Sequence, residues 1–335
     1  MTSLPGGNAI LALASAILWG GGDFSGGVAV KATAGTIRSA FRVVLLSHSI
    51  SLSILLLLSF LWGGGPPSGT TWAWGLLAGL FAALSLTTFY VALSGGAMGP
   101  AAALSGLLAA AIPAMVSIAI EGSPGPLRLV GFAIAGLAIW LVAAAPEAPS
   151  QSPATWTTWT TDSEPPSAEV DGRTPTPASR RDMILALGAG VGFGLYFVSM
   201  KMAGRGGLLW PMATVRIGST LTCLPLVLAT LRQRRKADSS GAEHTTSPSA
   251  EPRPASYLPR KAILWAMGPA LLDTGANLLF MAATRMGRLD VASVLASLYP
   301  ASTILLAAWM FHERPTRRQA LGMLTAVAAV LMITL

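Results

Sequence analysis

The stretch Phe280–Leu335 decides the fold, and its sequence is FMAATRMGRLDVASVLASLYPASTILLAAWMFHERPTRRQALGMLTAVAAVLMITL. It contains two apolar runs, Val291–Phe311 and Arg317–Leu335, with a charged turn between them that has Pro315 at its centre. A helix needs roughly 17 to 25 residues to cross a bilayer, and each run has about that length. Helices that are apolar on all sides are buried in lipid or in a large core. The stretch therefore predicts a hairpin of two membrane spans.

The composition of the whole chain points in the same direction. Of its 335 residues, 53% are hydrophobic and 11% are charged, whereas soluble domains have about 25% charged residues. The formal net charge is +8, but the basic residues lie between the apolar runs and therefore indicate topology rather than nucleic-acid binding. The single cysteine, Cys223, excludes an intrachain disulfide and a four-cysteine metal site. We expect a polytopic membrane protein with no metal and no cofactor.

Ten apolar runs repeat this pattern along the chain. Backbone polar groups inside lipid must be paired within their own segment, so each run is expected to be a helix and the fold class all-α. The first run lacks the basic residues that precede a secretory signal, and we expect a span there. The predicted runs are Ala9–Val30, Phe41–Trp62, Trp72–Leu93, Pro100–Ile120, Leu127–Ala145, Met183–Met202, Leu208–Leu231, Ala262–Thr284, Val291–Phe311 and Arg317–Leu335.

Two polar segments interrupt these runs. Residues 146–182 are rich in Thr, Pro, Ser and Glu, and residues 232–260 begin with the basic cluster RQRRK and continue as a Ser/Pro/Glu tract. Neither has apolar periodicity, so both are predicted to be disordered. The predicted organisation is a first five-helix repeat at 9–145, a polar linker at 146–182 and a second five-helix repeat at 183–335 that carries the 232–260 insert.

An internal repeat relates the two halves of the chain. A shift of 174 residues places the ILAL at 10–13 on the ILAL at 184–187 and places Arg42 on Arg216. The shift grows to 191 residues after the second span, where the second half carries its insert. This larger shift aligns Trp74 with Trp265, Phe89 with Phe280, Gly96 with Gly287 and Gly131 with Gly322.

The odd number of spans in each half has a geometric consequence. The second half must enter the membrane in the opposite sense to the first, which predicts an inverted repeat about an axis in the membrane plane. That architecture is typical of secondary transporters, whose substrate site lies near the midplane between the repeats.

The chain resembles the drug/metabolite transporter superfamily, EamA type. The resemblance rests on WGGGDFSGGVAVK at Trp19–Lys31, on the arginine in the second helix of each half, and on the closing block of each half. The Gly-Glu-Arg turn usual in the family is represented by His312-Glu313-Arg314 in one half and by only Glu121-Gly122 in the other. The resemblance implies a ten-helix transporter whose cavity is lined by helices one, three, four, six, eight and nine.

The distribution of basic residues gives a second view of topology. The connections that follow odd-numbered helices hold 15 Lys and Arg residues, against 5 on the other side. The positive-inside rule then places both termini outside the cytoplasm. The family resemblance implies termini inside, so the two arguments disagree and the orientation stays open.

Acidic residues inside the spans are the first candidates for function. Asp23 lies well within helix one and Asp273 near the middle of helix eight. A charge in hydrocarbon costs about 2.5 to 3.5 kcal/mol on insertion scales, so we interpret both as coupling or substrate-binding residues. A packing role through hydrogen bonds between helices is the alternative. Asn277 follows Asp273 by one turn, and Phe280 and Thr284 continue the same face.

Basic residues inside the spans leave two interpretations open. Arg42 and Arg216 occupy equivalent places in the two halves, near helix ends. They either capture an anionic substrate group or extend to the lipid headgroups, and their position favours the second interpretation. His48 lies deeper in helix two, where it could relay protons, but packing is the safer interpretation there.

Aromatic residues and helix breakers complete the candidate site. Trp19 lies among the glycines of helix one, which allow either close packing or local unwinding. Tyr90, Tyr196 and Tyr299 each offer an aromatic face and a hydroxyl to a cavity. Pro300 beside Tyr299, and Pro113 in helix four, are expected to interrupt their helices and expose carbonyl groups.

These observations predict a secondary transporter in the cytoplasmic membrane. We expect it to move a small metabolite or drug-like solute by alternating access, with proton coupling or exchange, and with efflux favoured over uptake. The expected partners are a small-molecule substrate, protons and the lipid bilayer, with no nucleic acid, and the protein is expected to be a monomer or homodimer. A lipid flippase or a non-transporting sensor of the same fold remains an alternative. The spans lack metalloprotease and nucleophile-elbow motifs, so an enzyme is not expected.

Overall fold

The structure is a computed structural model that describes residues 7–33, 37–94, 98–143, 180–240, 258–311 and 316–335. Every regular element within those ranges is helical, and they contain no strand. The predicted all-α class is therefore confirmed for the described part of the chain.

Twelve α-helices and one π-helix make up these ranges. In the first half the helices are α1 Gly7–Lys31, α2 Ile37–Trp62, α3 Gly69–Ser94, α4 Met98–Glu121 and α5 Pro126–Ala143. In the second half they are α6 Arg180–Gly204, α7 Leu209–Ser240, α8 Arg260–Gly268, the π-helix Pro269–Asp273, α9 Thr274–Met286, α10 Leu289–Ala296, α11 Tyr299–Phe311 and α12 Arg317–Thr334.

Seven helical stretches of the described residues are long and apolar enough to cross a membrane. They correspond to predicted runs one to four and six to eight, with α8, the π-helix and α9 forming one stretch. The other three runs are also helical, but α5 is short, the ninth run is divided into α10 and α11, and α12 begins with two arginines. The count of ten spans therefore stays a prediction.

The helices extend into both segments that were predicted to be disordered. α7 continues to Ser240, so the prediction is wrong for residues 232–240, and α6 begins at Arg180, so it is wrong for the end of the linker. Gln, Arg, Lys and Ala are good helix formers, and a helix already nucleated by an apolar run continues through them at little cost. Arg260 begins α8, so the prediction is wrong there as well, and residues 146–179 and 241–257 lie outside the described residues.

Prolines interrupt two of the predicted apolar runs but not a third. The π-helix begins at Pro269, whose ring nitrogen has no hydrogen to donate to the preceding turn. The ninth run breaks at Ser297–Leu298, directly before Tyr299 and Pro300, as expected. The expected break at Pro113 is wrong, because α4 continues through it; losing one backbone hydrogen bond there leaves the rest of the helix paired.

The largest interfaces join the two halves rather than neighbours within one half. α1 packs on α8, the π-helix, α9 and α11, while α3 packs on α6 and α7. α4 packs on α6 and α10, α2 packs on α7, and α5 packs on α12. Side chains of α1, α2, α7 and the π-helix consequently meet in the interior.

Two glycines make the α5–α12 interface reciprocal. A Cβ on Gly131 would lie 2.8 Å from Cγ1 of Ile333, and a Cβ on Gly322 would lie 2.7 Å from Cγ2 of Val142. The shift of 191 residues that aligns Gly131 with Gly322 also aligns Val142 with Ile333. The start of each helix therefore packs on the end of the other, and the pair is antiparallel.

Candidate functional site

A buried arginine forms the centre of the candidate site. Arg216, near the start of α7, is 1% exposed. Its Nη2 donates to Oδ2 of Asp273 at 2.5 Å, its Nε donates to Oγ of Ser51 at 3.0 Å, and its Nη1 lies 3.1 Å from Nε2 of His48. Its partners come from α2 and from the π-helix, so this one guanidinium ties both halves of the chain together.

Hydroxyl groups complete the shell around Arg216. The Oγ of Ser51 lies 2.5 Å from Oγ1 of Thr274, which donates to the carbonyl oxygen of Ala270 at 2.6 Å. Both hydroxyl oxygens accept from the guanidinium, Ser51 from Nε at 3.0 Å and Thr274 from Nη2 at 3.5 Å, and a guanidinium has only donors. A buried cation is tolerated only when its donors are paired in this way. We call Arg216, Asp273, His48, Ser51 and Thr274 the arginine cluster.

The close packing of α1 on the π-helix brings a second carboxylate, that of Asp23, next to this cluster. A Cβ on Gly22 would lie 3.4 Å from the backbone nitrogen of Asp273, so α1 approaches the π-helix backbone closely. A Cβ on Gly268 would overlap the Ser25 hydroxyl, which shows the same close approach from the other side. α1 is a continuous helix here, so Gly21 and Gly22 serve close packing rather than unwinding.

A small cavity lies where the two carboxylates meet. Its volume is about 20 Å³, and its lining includes Asp23, Asp273, His48 and Ser47 together with apolar atoms of α2, α3 and the π-helix. A cavity needs about 10 to 15 Å³ to hold one water molecule, so this one has room for a single water-sized species.

An aromatic cluster packs one turn before Asp23 on α1. The rings of Trp19 and Phe197 stack with centroids 5.1 Å apart, and Phe280 lies 5.5 Å from Trp19 and 4.6 Å from Phe197. All three are nearly inaccessible, so their faces contact one another rather than open space. We call these three residues the aromatic cluster.

Tyr196 and Asn277 connect the aromatic cluster to the arginine cluster. The hydroxyl of Tyr196 donates to Oδ1 of Asn277 at 2.6 Å, and Nδ2 of Asn277 donates to the backbone carbonyl of Asp273 at 2.6 Å. Tyr299 of α11 is also buried, with its hydroxyl next to Ser105 of α4 and within electrostatic range of Asp23. Polar contacts thus extend from Arg216 across the junction of the two halves.

The comparison with known families adds to this geometry. Residues 181–335 match the EamA-like transporter family. They form an EamA-like domain. The arginine and the π-helix of the site both belong to this EamA-like domain, whereas Asp23, His48 and Ser51 come from the first half of the chain.

The whole chain matches no curated protein. A solved structure described only as the crystal structure of a protein is 14% identical, with a TM-score of 0.63, and the match covers 98% of this chain and 96% of that one. At that identity the likeness shows the fold alone, and it extends well beyond the EamA-like domain.

The structure brings most of the predicted site residues together. Asp23, Asp273 and Arg216 lie around the cavity, and Trp19, Tyr196, Asn277 and Tyr299 lie next to them. Arg42 is partly buried on α2, six residues before His48. Tyr90 belongs to α3, but its side chain lies outside the described residues. For Arg216 the headgroup interpretation is wrong, because its guanidinium is buried among polar side chains.

From the sequence we also expect charge pairing of Glu121 with Arg128 and of Glu313 with Arg314, and the first of these pairs is wrong. Glu121 at the end of α4 forms an ion pair with Lys201 near the end of α6, in the EamA-like domain. Arg288 donates to the backbone oxygens of Glu121 and Gly122, so it fastens the same turn. Its hydrogen bonds with Asp290 raise the pKa of Arg288 above its usual value. The second predicted pair, Glu313 with Arg314, lies outside the described residues.

The part that three residues take in the arginine cluster was not predicted from the sequence. His48 was expected to pack, and Ser51 and Thr274 were not singled out. A clue was present, because His48 and Ser51 are three residues apart and therefore lie on one face of α2. Their partner on α7 could not be identified from spacing, since the two helices belong to different halves.

Proposed function

We propose that this protein is a secondary transporter that moves a small metabolite or drug-like solute across the cytoplasmic membrane by alternating access. The EamA-like domain belongs to a family of transporters, and at least seven stretches of the chain have the length and apolar character of membrane spans. Proton coupling or exchange drives transport, with efflux favoured. The protein works as a monomer or homodimer within the lipid bilayer and has no nucleic-acid partner.

The proposed transport unit has ten spans arranged as two inverted five-helix repeats. The reciprocal contacts of Gly131 with Ile333 and of Gly322 with Val142 support this arrangement, because a two-fold axis produces such pairs. The packing of α1 on α9 and of α3 on α6 supports it as well, since the repeat exchanges these two interfaces. One repeat rocks against the other around the interior site.

The observation that carries the proposal is the arginine cluster between the halves. Arg216 and Asp273 form an ion pair inside helices of membrane-spanning length, and Asp23 lines the adjoining cavity. Ionisable groups in spans are costly and mark ion or substrate pathways. The cluster also takes side chains from both halves, so a rocking motion changes its contacts directly.

A transport assay tests the proposal. A thermal-shift screen of amino acids, sugars, nucleosides and cationic drugs selects the compound that stabilises the purified protein most. Counterflow of this compound into proteoliposomes is then measured with and without a pH gradient. We expect the gradient to drive accumulation in the wild type and to have no effect in the Asp23→Asn, Asp273→Asn double variant.

The control variant makes the same chemical change elsewhere. Asp238→Asn alters an acid 22 residues after Arg216 on α7, about 33 Å along the helix at 1.5 Å per residue, and it should accumulate substrate like the wild type. Gradient-driven accumulation that persists in the double variant would remove these carboxylates from the mechanism. Movement of labelled lipid without any solute flux would instead favour a lipid flippase.

A further inference from the structure

The two ring nitrogens of His48 have different surroundings. Nε2 lies 3.1 Å from Nη1 of Arg216. A guanidinium nitrogen can only donate, so Nε2 must be the acceptor. An imidazole that accepts through Nε2 is neutral and carries its proton on Nδ1. The contact with Arg216 therefore determines both the charge and the tautomer of His48.

The proton on Nδ1 needs an acceptor. His48 is 3% exposed, and within the described part of the chain its Nδ1 has no hydrogen-bond partner. Buried donors in native proteins are nearly always paired with protein atoms or with ordered water. A buried donor without a partner loses its hydrogen bonds to water and gains none in exchange, so we expect a partner close to Nδ1.

The cavity of the candidate site supplies the space for that partner. His48 lines it together with Asp23, Ser47 and Asp273, and its volume of about 20 Å³ fits one water molecule. A buried water usually makes two to four hydrogen bonds, and the lining offers carboxylate and hydroxyl oxygens as acceptors. The space is too small for an organic substrate.

The surroundings of the two carboxyl groups identify which of them accepts a hydrogen bond from the water. One carboxylate oxygen of Asp273 is already paired with Arg216. Asp23 makes no hydrogen bond or ion pair with any other described residue, although it lines the same cavity. The other groups facing this space are the neutral Ser47 hydroxyl, whose hydrogen goes to the backbone of Val44, and apolar atoms.

We propose that the cavity binds one water molecule that accepts the Nδ1 hydrogen of His48 and donates to the Asp23 carboxyl group. The result is one continuous chain of contacts from Asp273 through Arg216 and His48 to the water and Asp23. His48 is then a positioning residue that holds Arg216 with one nitrogen and the water with the other. The role of this chain in coupling rests on the proposed transport function, whereas the water site itself does not.

Nitrogen NMR on the ligand-free protein tests the site without any transport assay. The chain has three histidines, so histidine-labelled protein in lipid nanodiscs gives few signals, and the His48 signals are those lost in His48→Gln. We expect a protonated Nδ1, an unprotonated Nε2 and magnetisation transfer from water to the Nδ1 hydrogen. A proton on Nε2, a charged ring, or an Nδ1 hydrogen without water contact would overturn the proposal.

Two substitutions separate the functions of the two nitrogens. The amide oxygen of His48→Gln can replace Nε2 as the acceptor for Arg216, but nothing replaces the Nδ1 donor. The amide nitrogen of His48→Asn can replace the Nδ1 donor, but the acceptor for Arg216 is lost. We expect His48→Gln to shift the carboxyl carbon signal of Asp23 and spare the Nε signal of Arg216, and His48→Asn to do the reverse.

A purely structural His48 would give a different result. Both signals would then move together in both variants, and this outcome would contradict the proposal. Exchanging sodium for potassium serves as a further control, because a bound metal ion in the cavity would shift the Asp23 signal and a water would not. If one variant fails to fold, the other still identifies the His48 signals, and the wild-type spectra then decide. If the wild type shows magnetisation transfer from water to the Nδ1 hydrogen but moves no solute, that result would count against the proposed function alone.

Discussion

At the scale of single residues, Arg216 has the largest of the fully buried side chains in the described part of the chain. Its guanidinium is 1% exposed and uses donors on all three nitrogens. Removing one member of a buried ion pair leaves the other charge without compensation, which costs about 3 to 5 kcal/mol when both are fully buried. The carboxyl side chain of Asp273 is 25% exposed, which moderates that cost here.

We therefore predict that Arg216→Gln lowers the free energy of unfolding by about 2 to 3 kcal/mol, somewhat below the range for a fully buried pair. Adding Asp273→Asn should recover part of the loss, because the unpaired charge is then gone. Unfolding of the purified variants in detergent, followed by circular dichroism, measures both. Arg232→Gln, an exposed arginine on the same helix, is the control and should change stability little. Equal effects of Arg216→Gln and Arg232→Gln would contradict the prediction.

The sequence was informative about which residues matter and less so about how they pair. Asp23 and Asp273 could be identified because a carboxylate inside an apolar run requires a reason. The role of Arg216 was misjudged because its distance along the helix from the membrane surface says nothing about the neighbouring helix. Its partners are 57 and 168 positions away in the chain, and only the packing of the halves brings them together.

At the scale of elements, close helix packing depends on glycines at particular interfaces. A Cβ on Gly79 of α3 would overlap the backbone oxygen of Val215 and the backbone nitrogen of Ser219 in α7. Backbone atoms cannot move aside as a flexible side chain does, so the two helices would have to separate. The same separation would displace Arg216, which lies in the contacted turn of α7.

We predict that Gly79→Ala lowers the free energy of unfolding by about 1 to 3 kcal/mol, the usual cost of overpacking. The matched control is Gly27→Ala in α1, where an added Cβ would meet nothing within 4 Å. That control should be neutral or slightly stabilising, because alanine favours a helix by about 1 kcal/mol over glycine. Thermal unfolding of the two variants side by side decides; a Gly79→Ala variant as stable as the control would refute the packing argument.

Element boundaries were predictable where apolar length alone decides them. The predicted run Phe41–Trp62 and the observed α2 end at the same residue, and α12 begins at Arg317 as predicted. The π-helix was not predictable, because Pro269 by itself only removes one backbone hydrogen bond. The wider turn of a π-helix also needs space, and Gly22 and Gly268 provide it on the neighbouring backbone. The continuation of α7 to Ser240 was missed because a polar composition was equated with disorder.

At the scale of the whole molecule, the two ends of the inter-half junction differ. At one end, Glu121 pairs with Lys201 and Arg288 binds the backbone of the same turn. The repeat shifts place Lys201 on Gly27, Arg288 on Ala97 and Asp290 on Gly99. The repeat therefore places no charged counterparts of these three residues at the opposite end, and in the proposed alternating-access cycle the resting protein should favour the state that is closed at the Glu121 end.

Reversing one charge of this junction should loosen that end selectively. Lys201→Glu places two acids together, and we expect the backbone amides at the end of α4 and the start of α10 to exchange hydrogen up to about fivefold faster, which corresponds to the loss of a partly exposed pair worth up to about 1 kcal/mol. The pair is partly exposed, with 18% and 26% of the two side chains accessible, so a larger effect is not expected.

The Glu121→Lys, Lys201→Glu double variant restores the attraction and should return exchange toward the wild-type rate. Lys261→Glu, at an exposed lysine in the first turn of α8, is the control. If the double variant exchanges as fast as Lys201→Glu alone, the Glu121–Lys201 pair does not hold the two halves together at this end, and the preference for the closed state must come from the apolar packing of α4 on α6 and α10.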